Sequence, residues 1–163
     1  MTREFMNAYV QGDWVASPVS GSVDEQIKAR YEDLLLQTRL MGVRNVATWH
    51  EQALGVVDNS LEKNRRTDAV RNAREVDTCD AVITYLQRED PPKKHWGSLA
   101  IIAYAVGKGK QVILLAPRDC VVWKHHFVHH PGVTRLPYQD HAGAILSLHN
   151  TLSGELPAKN TQS

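Results

Sequence analysis

The run from Asp77 to Pro117 constrains the fold more than any other part of the chain. A polar hinge ends at Cys79-Asp80, and a β-rich run, Ala81–Tyr85, follows it. After a loop, Gly97–Val106 reads as a helix too apolar to face water. Lys108-Gly109-Lys110 then leads into a second apolar strand, Gln111–Ala116. Strand, helix and strand in that order predict a βαβ unit, with parallel strands and a binding crevice at their carboxyl ends.

The rest of the chain repeats the alternation. Phe5–Gln11 reads as a first strand closed by Gly12. Ser22 or Asp24 can cap a helix whose apolar positions Ile27, Tyr31, Leu34, Leu35 and Leu36 recur near helical spacing to about Met41. Val43–Trp49 predicts a short second strand. Leu61–Val76 predicts a charged helix with a narrow apolar stripe through Val70, Ala73 and Val76. Val133–Pro137 is a short fifth strand, and Asp140 caps a last helix to Leu152. This order predicts a single doubly wound α/β domain over residues 1–153, flavodoxin- or Rossmann-like. Its sheet is mainly parallel, with about five strands and helices on both faces. Residues 154–163 read as a disordered tail.

Composition narrows the function classes. A net charge of +1 over 163 residues gives no global attraction to nucleic acid or an anionic membrane. No apolar run reaches the roughly 18–20 residues that span a bilayer, and the first residues lack a signal-peptide core, so a cytoplasmic protein is expected. Cys79 and Cys120 have no metal or redox spacing and read as reduced thiols.

The loops expected at the carboxyl ends of the strands are Gln11–Ser22, His50–Ser60, Leu86–Trp96 and Pro117–Gly132. Trp14, Trp96 and Trp123 fall in them and Trp49 borders one, which suits contact with a base or sugar face; packing under their own loops is the plainer alternative. Lys93, Lys94 and His95 precede Gly97-Ser98 at a helix start, where free N–H groups attract anions such as a phosphate. In the run His125-His126-Phe127-Val128-His129-His130, helical i, i+4 pairs would suit a metal. Pro131-Gly132 follows at once and no third ligand is placed, so no metal or other cofactor is expected. The run reads as a loop over the crevice, with His125 as a ligand contact.

Four pieces, in order, resemble the nucleoside 2-deoxyribosyltransferase-like family. They are Tyr9-Val10-Gln11-Gly12 closing the first strand; Asp80-Ala81-Val82-Ile83 opening the third; Gly97 to Ala105, similar to that family's glycine-x-x-x-glutamate-x-glycine-tyrosine-alanine helix; and Gly107-Lys108-Gly109-Lys110 before an apolar strand. The resemblance implies chemistry at a nucleoside N-glycosidic bond. A glutamate carboxylate attacks or stabilises the oxocarbenium-like centre, an aspartate assists the leaving base or the sugar, and a tyrosine orients the nucleophile. The tyrosine matches Tyr9. The glutamate position falls on Ile101, which reads as core, and the aspartate position on Asn72. Isoleucine cannot attack carbon, and asparagine cannot act as a carboxylic acid.

The resemblance therefore implies a nucleoside- or nucleotide-binding protein without the family's standard transfer chemistry. Gln11, Gly12, Trp14, His50, Asn72, Asp80, Trp96, Gly97, Ser98 and His125 form the expected ligand set. A second expectation is an N-glycosidic hydrolase or transferase with Tyr9 and a relocated acid, Asp13 or Glu51. A third is an interaction protein with a vestigial crevice. The resemblance also implies a homo-oligomer, a dimer or larger.

Overall fold

The structure, a computed structural model, describes residues 6–13, 24–49 and 62–154. Within them lie β1 (Met6–Gly12), α1 (Glu25–Leu40), β2 (Val43–Asn45), α2 (Glu62–Thr78), β3 (Ala81–Tyr85), α3 (Trp96–Gly107), β4 (Gln111–Pro117), β5 (Val133–Tyr138) and α4 (His141–Leu152). Every strand pairing is parallel, in the order β2-β1-β3-β4-β5. The chain order reverses between β1 and β3, which is where doubly wound sheets place a crevice.

Strand alternation divides the core in two. Tyr9, Val82, Val112 and Leu114 face Val76 of α2 and Ile102 and Ala105 of α3. Ala8, Val10, Ile83 and Leu115 face Tyr31 and Leu34 of α1 and Ala144 and Leu148 of α4. In α1 the buried residues Ile27, Tyr31, Leu34 and Thr38 hold the helical period, and the Asp24 carboxylate accepts from the N–H groups of Gln26 and Ile27.

Two expected elements differ. β2 stops at Asn45 rather than reaching Trp49, because the Asn45 side chain turns the backbone. Its Oδ1 accepts from Ala47 N at 3.0 Å and from Val10 N at 3.1 Å. The stretch after β4 is not an open loop. Two 3-10 turns, Val121–Lys124 and His126–His129, carry the crossover to β5 and bury Val122 and Val128. The expected stripe of α2 also narrows, since Val70 is 53% exposed.

Both sheet edges are short or interrupted. β2 has three residues. On the other edge, Val112 N donates to Gly132 O and Arg118 N to Tyr138 O, so even-numbered residues of β5 face β4. Pro137 therefore turns its nitrogen, which carries no hydrogen, to the outer edge. Among the described residues no helix is long and apolar enough to cross a membrane.

Candidate functional site

Two neighbouring features occupy the carboxyl end of the sheet and the α2–α3 face: a buried polar hub and an open groove.

The hub begins at Asp13, directly after β1. One carboxylate oxygen accepts from Gln87 N at 2.7 Å and Arg88 N at 2.8 Å. The other accepts from His95 Nδ1 at 3.1 Å. The far side of the ring, Nε2, lies 2.9 Å from the Arg88 carbonyl and 3.5 Å from Cys120 Sγ. Carboxylate and carbonyl oxygens only accept, so an imidazolium, donating from both ring nitrogens, satisfies both contacts; a neutral ring would instead have to take a hydrogen bond at Nε2 from the Cys120 thiol. Burial opposes that charge, but the Asp13 carboxylate and the Cys120 sulfur outweigh it and raise the imidazole to about 10. Asp13 is 7% exposed and His95 6%.

This arrangement corrects one expectation. Asp13 is not a free acid in the crevice; three donors engage its two oxygens. His95 is likewise not part of a basic anion-binding run. Lys94 pairs with Asp90, His95 points inward, and Lys93 alone of the three reaches the groove.

The groove lies between α2 and α3 and has a volume of about 820 Å³. Asn72, Ile101 and Gly97 line it together. Ile101 is partly buried: it packs against the core, as the apolar helix suggested, and also lines the groove wall; that helix fully buries only Ile102 and Ala105. Arg65, Asp68 and Lys93 supply the charge. Ala69, Ala73, Ala100 and the Tyr104 ring complete an apolar wall. The Arg71 guanidinium donates to Asn72 Oδ1 at 3.2 Å and pairs with Asp68 Oδ1 at 3.1 Å. Asn72 therefore has its amide N–H groups left to offer a ligand.

The other expected site residues are dispersed. Gln11 is buried where β1 pairs with β3. Its amide donates to Thr84 Oγ1 at 2.9 Å and to the Ser98 carbonyl at 3.1 Å, which ties the start of α3 to the sheet. Ser98 thus contributes through its backbone. Tyr9 is buried against α2 and α3, and burial followed by the nearby Glu75 carboxylate pushes its phenol up. Glu75 itself accepts from Thr48 N at 3.0 Å and from Thr48 Oγ1 at 2.6 Å. Gly12 is explained by packing: a Cβ there would stand 2.6 Å from Tyr85 O and 2.9 Å from the Tyr31 ring, so protein already fills the space.

Asp80 sits at the amino end of β3, opposite the crevice, and its carboxylate accepts from Asn7 N at 3.0 Å. That position removes it from the ligand set. His125 lies on the β4–β5 crossover rather than in the groove, stacked 4.8 Å from His126. The 3-10 turns replace the α-helix that would have paired these histidines at i, i+4. Trp123 packs within its own crossover and Trp49 against Tyr31, and their indole N–H groups donate to Pro117 O at 2.7 Å and Val10 O at 2.8 Å respectively. Trp96 is 67% exposed at the start of α3. Trp14, His50 and Glu51 lie outside the described residues.

Sequence reasoning gave His95 a different role and missed Asp68. Nothing local marks His95, whose partner Asp13 is 82 positions away. Asp68 carried a signal: it precedes Asn72 by one helical turn, on the same face.

No protein-family model matches the chain. No curated protein matches it either. Among solved structures it is similar to the CMP N-glycosidase BcmB of Clostridium botulinum, with 19% identity, a TM-score of 0.57, and coverage of 87% of this chain and 97% of that chain. At that identity the likeness is one of fold. It agrees with the doubly wound architecture and with the fold that the sequence resemblance implies.

Proposed function

We propose that the α2–α3 groove binds a nucleotide and that the two-carboxylate glycosidic chemistry of the deoxyribosyltransferase-like family does not operate in it. One observation carries this reading. The positions that correspond to that family's aspartate and glutamate, Asn72 and Ile101, line a single groove, and neither is an acid. Shape and charge support it. Arg65 and Lys93 suit a phosphate, the alanines with Ile101 and Tyr104 suit a flat base, and Asn72 suits a hydroxyl or a base edge. A CMP-directed enzyme of similar fold makes CMP the first ligand to try. The protein acts as a binder or sensor, in the cytoplasm and as a homo-oligomer.

Titration calorimetry with CMP, run beside chromatography for free cytosine, tests the reading. The expected outcome is saturable binding that Asn72→Ala weakens, with CMP recovered intact. Absence of binding across nucleoside monophosphates and nucleosides sinks it.

A second reading, hydrolysis by a relocated acid, is favoured by one feature. Asp68 is the carboxylate on the groove wall, one turn before Asn72. Cytosine release abolished by Asp68→Asn, with binding retained, would establish that reading in place of the first.

A further inference from the structure

We infer that His95 is a positioning residue: a buried crosslink between strand ends that sets one wall of the groove without touching the ligand. The inference rests on the nucleotide reading for what the groove holds, but the crosslink itself follows from geometry.

Three segments meet at this ring. Asp13 follows β1, Arg88 follows β3, and Cys120 follows β4. Each is at the carboxyl end of a different strand, and His95 itself leads into α3. The charged or titratable groups that face the ring are Asp13 and Cys120. Tyr138, from β5, lies behind them and donates its hydroxyl to Leu86 O at 2.5 Å.

The backbone shows that the ring holds its loop under load. Lys94 and His95 have φ of +48° and +61°, two successive non-glycine residues in the left-handed region. Each is disfavoured relative to the right-handed form for a residue with a Cβ, and such conformations persist only where surrounding contacts over-determine them. Here the contacts are those of the His95 ring together with the turn bonds from Lys94 N to Pro91 O and from Trp96 N to Lys93 O. His95 supplies no side-chain cap to α3, so its ring serves the hub while its backbone starts the helix. Lys93 lies two residues before it and Gly97 two residues after, and both line the groove. Fixing His95 therefore fixes a cation and a helix start on one groove wall before any ligand arrives. Pre-organisation of this kind raises affinity by removing the cost of ordering the loop on binding.

The test uses the whole protein. Nitrogen-15 NMR of the histidine rings at pH 8.5, with His95 assigned by its loss in His95→Gln, should show two protonated ring nitrogens. A singly protonated ring at that pH overturns the crosslink, and this measurement needs no variant to be active. CMP titration should then show His95→Gln binding about tenfold more weakly than the wild type. In a Lys93→Ala background the same change should cost little, because His95 acts through Lys93. A merely structural role would give additive losses in that cycle, so additivity, or unchanged CMP affinity in His95→Gln, overturns the positioning role. Should His95→Gln not fold, Asp13→Asn replaces it in the cycle with the same expected and contrary outcomes. A wild type that shows the doubly protonated ring but binds no CMP overturns the groove assignment and the positioning role together. The same wild type with a singly protonated ring refutes the crosslink as well.

Discussion

Among the described residues two aspartate–histidine pairs stand out, and they behave as opposites. In the hub, His95 meets a carboxylate on one side and a backbone carbonyl on the other, all but sealed from water. On the α1–α4 face, His141 lies 2.6 Å from Asp33 Oδ2 through Nε2 and 2.7 Å from the Tyr85 hydroxyl through Nδ1. A tyrosine hydroxyl can donate, so His141 can satisfy both contacts as a neutral ring, with Nε2–H donating to Asp33. His95 cannot. The Asp33 side chain is also 41% exposed, where water weakens an ion pair. The same two residue types thus yield a buried fixed charge in one place and a half-open hydrogen-bonded clamp in the other. What decides is the third partner and the access of water.

The sharpest way to break this contrast is Asp13→Asn. It removes a charge from a buried pair and leaves the imidazolium uncompensated, which should cost about 3–5 kcal/mol of unfolding free energy in urea titrations. A loss below about 1 kcal/mol, the scale of an exposed pair, would show that the two pairs are alike.

Alkaline titration comes next. His95 keeps its proton in the folded state above its ordinary value and gives it up near pH 10. The folded protein therefore binds more protons than the unfolded chain between about pH 6.5 and 10, and stability is lost as pH rises through that window, by up to about 1.4 kcal/mol per pH unit. Denaturant titrations from pH 7 to 10 should show this slope in the wild type and a flatter one in His95→Gln.

Smaller effects belong to the clamp. Tyr85→Phe removes one hydrogen bond, from a phenol that burial pushes up to about 12, and should cost about 1 kcal/mol in urea. Asp33→Asn should have the least effect. The hydrogen bond from His141 holds the Asp33 carboxyl below its ordinary value, so its contribution is present above the unfolded value and is lost as pH falls through the lowered one. Acid unfolding followed by circular dichroism should lose part of its pH dependence in that variant, with stability at pH 7 nearly unchanged.

Sequence periodicity carried the fold well. The continuous apolar runs Ala81–Tyr85 and Gln111–Ala116, buried on both faces of the parallel sheet, and the spacing of Ile27, Tyr31 and Leu34 are local patterns that burial enforces. The boundaries that moved did so through side chains acting on the backbone, as Asn45 does at the end of β2. The site was less legible. Asn72, Gly97 and Ile101 could be placed by resemblance, and they do line one groove. The state of Asp13 could not be read, because the three donors that engage it come from Gln87, Arg88 and His95, far away in sequence. The apolar composition of α3 was misleading in one respect. A helix can be apolar all round because one side meets the sheet and another walls a groove, and hydropathy does not distinguish the two.

The treatment of the sheet edges limits how copies of the chain can join. A three-residue strand at one side and an outward-facing proline at the other shorten the backbone that another strand could pair with, which disfavours continuing the sheet from molecule to molecule. The helices offer a different contact, with exposed leucines on α1 and α4: Leu36, Leu40 and Leu146 are 53%, 73% and 61% exposed. Such a contact would leave the groove between α2 and α3, on the opposite side of the sheet, open to solvent in every copy.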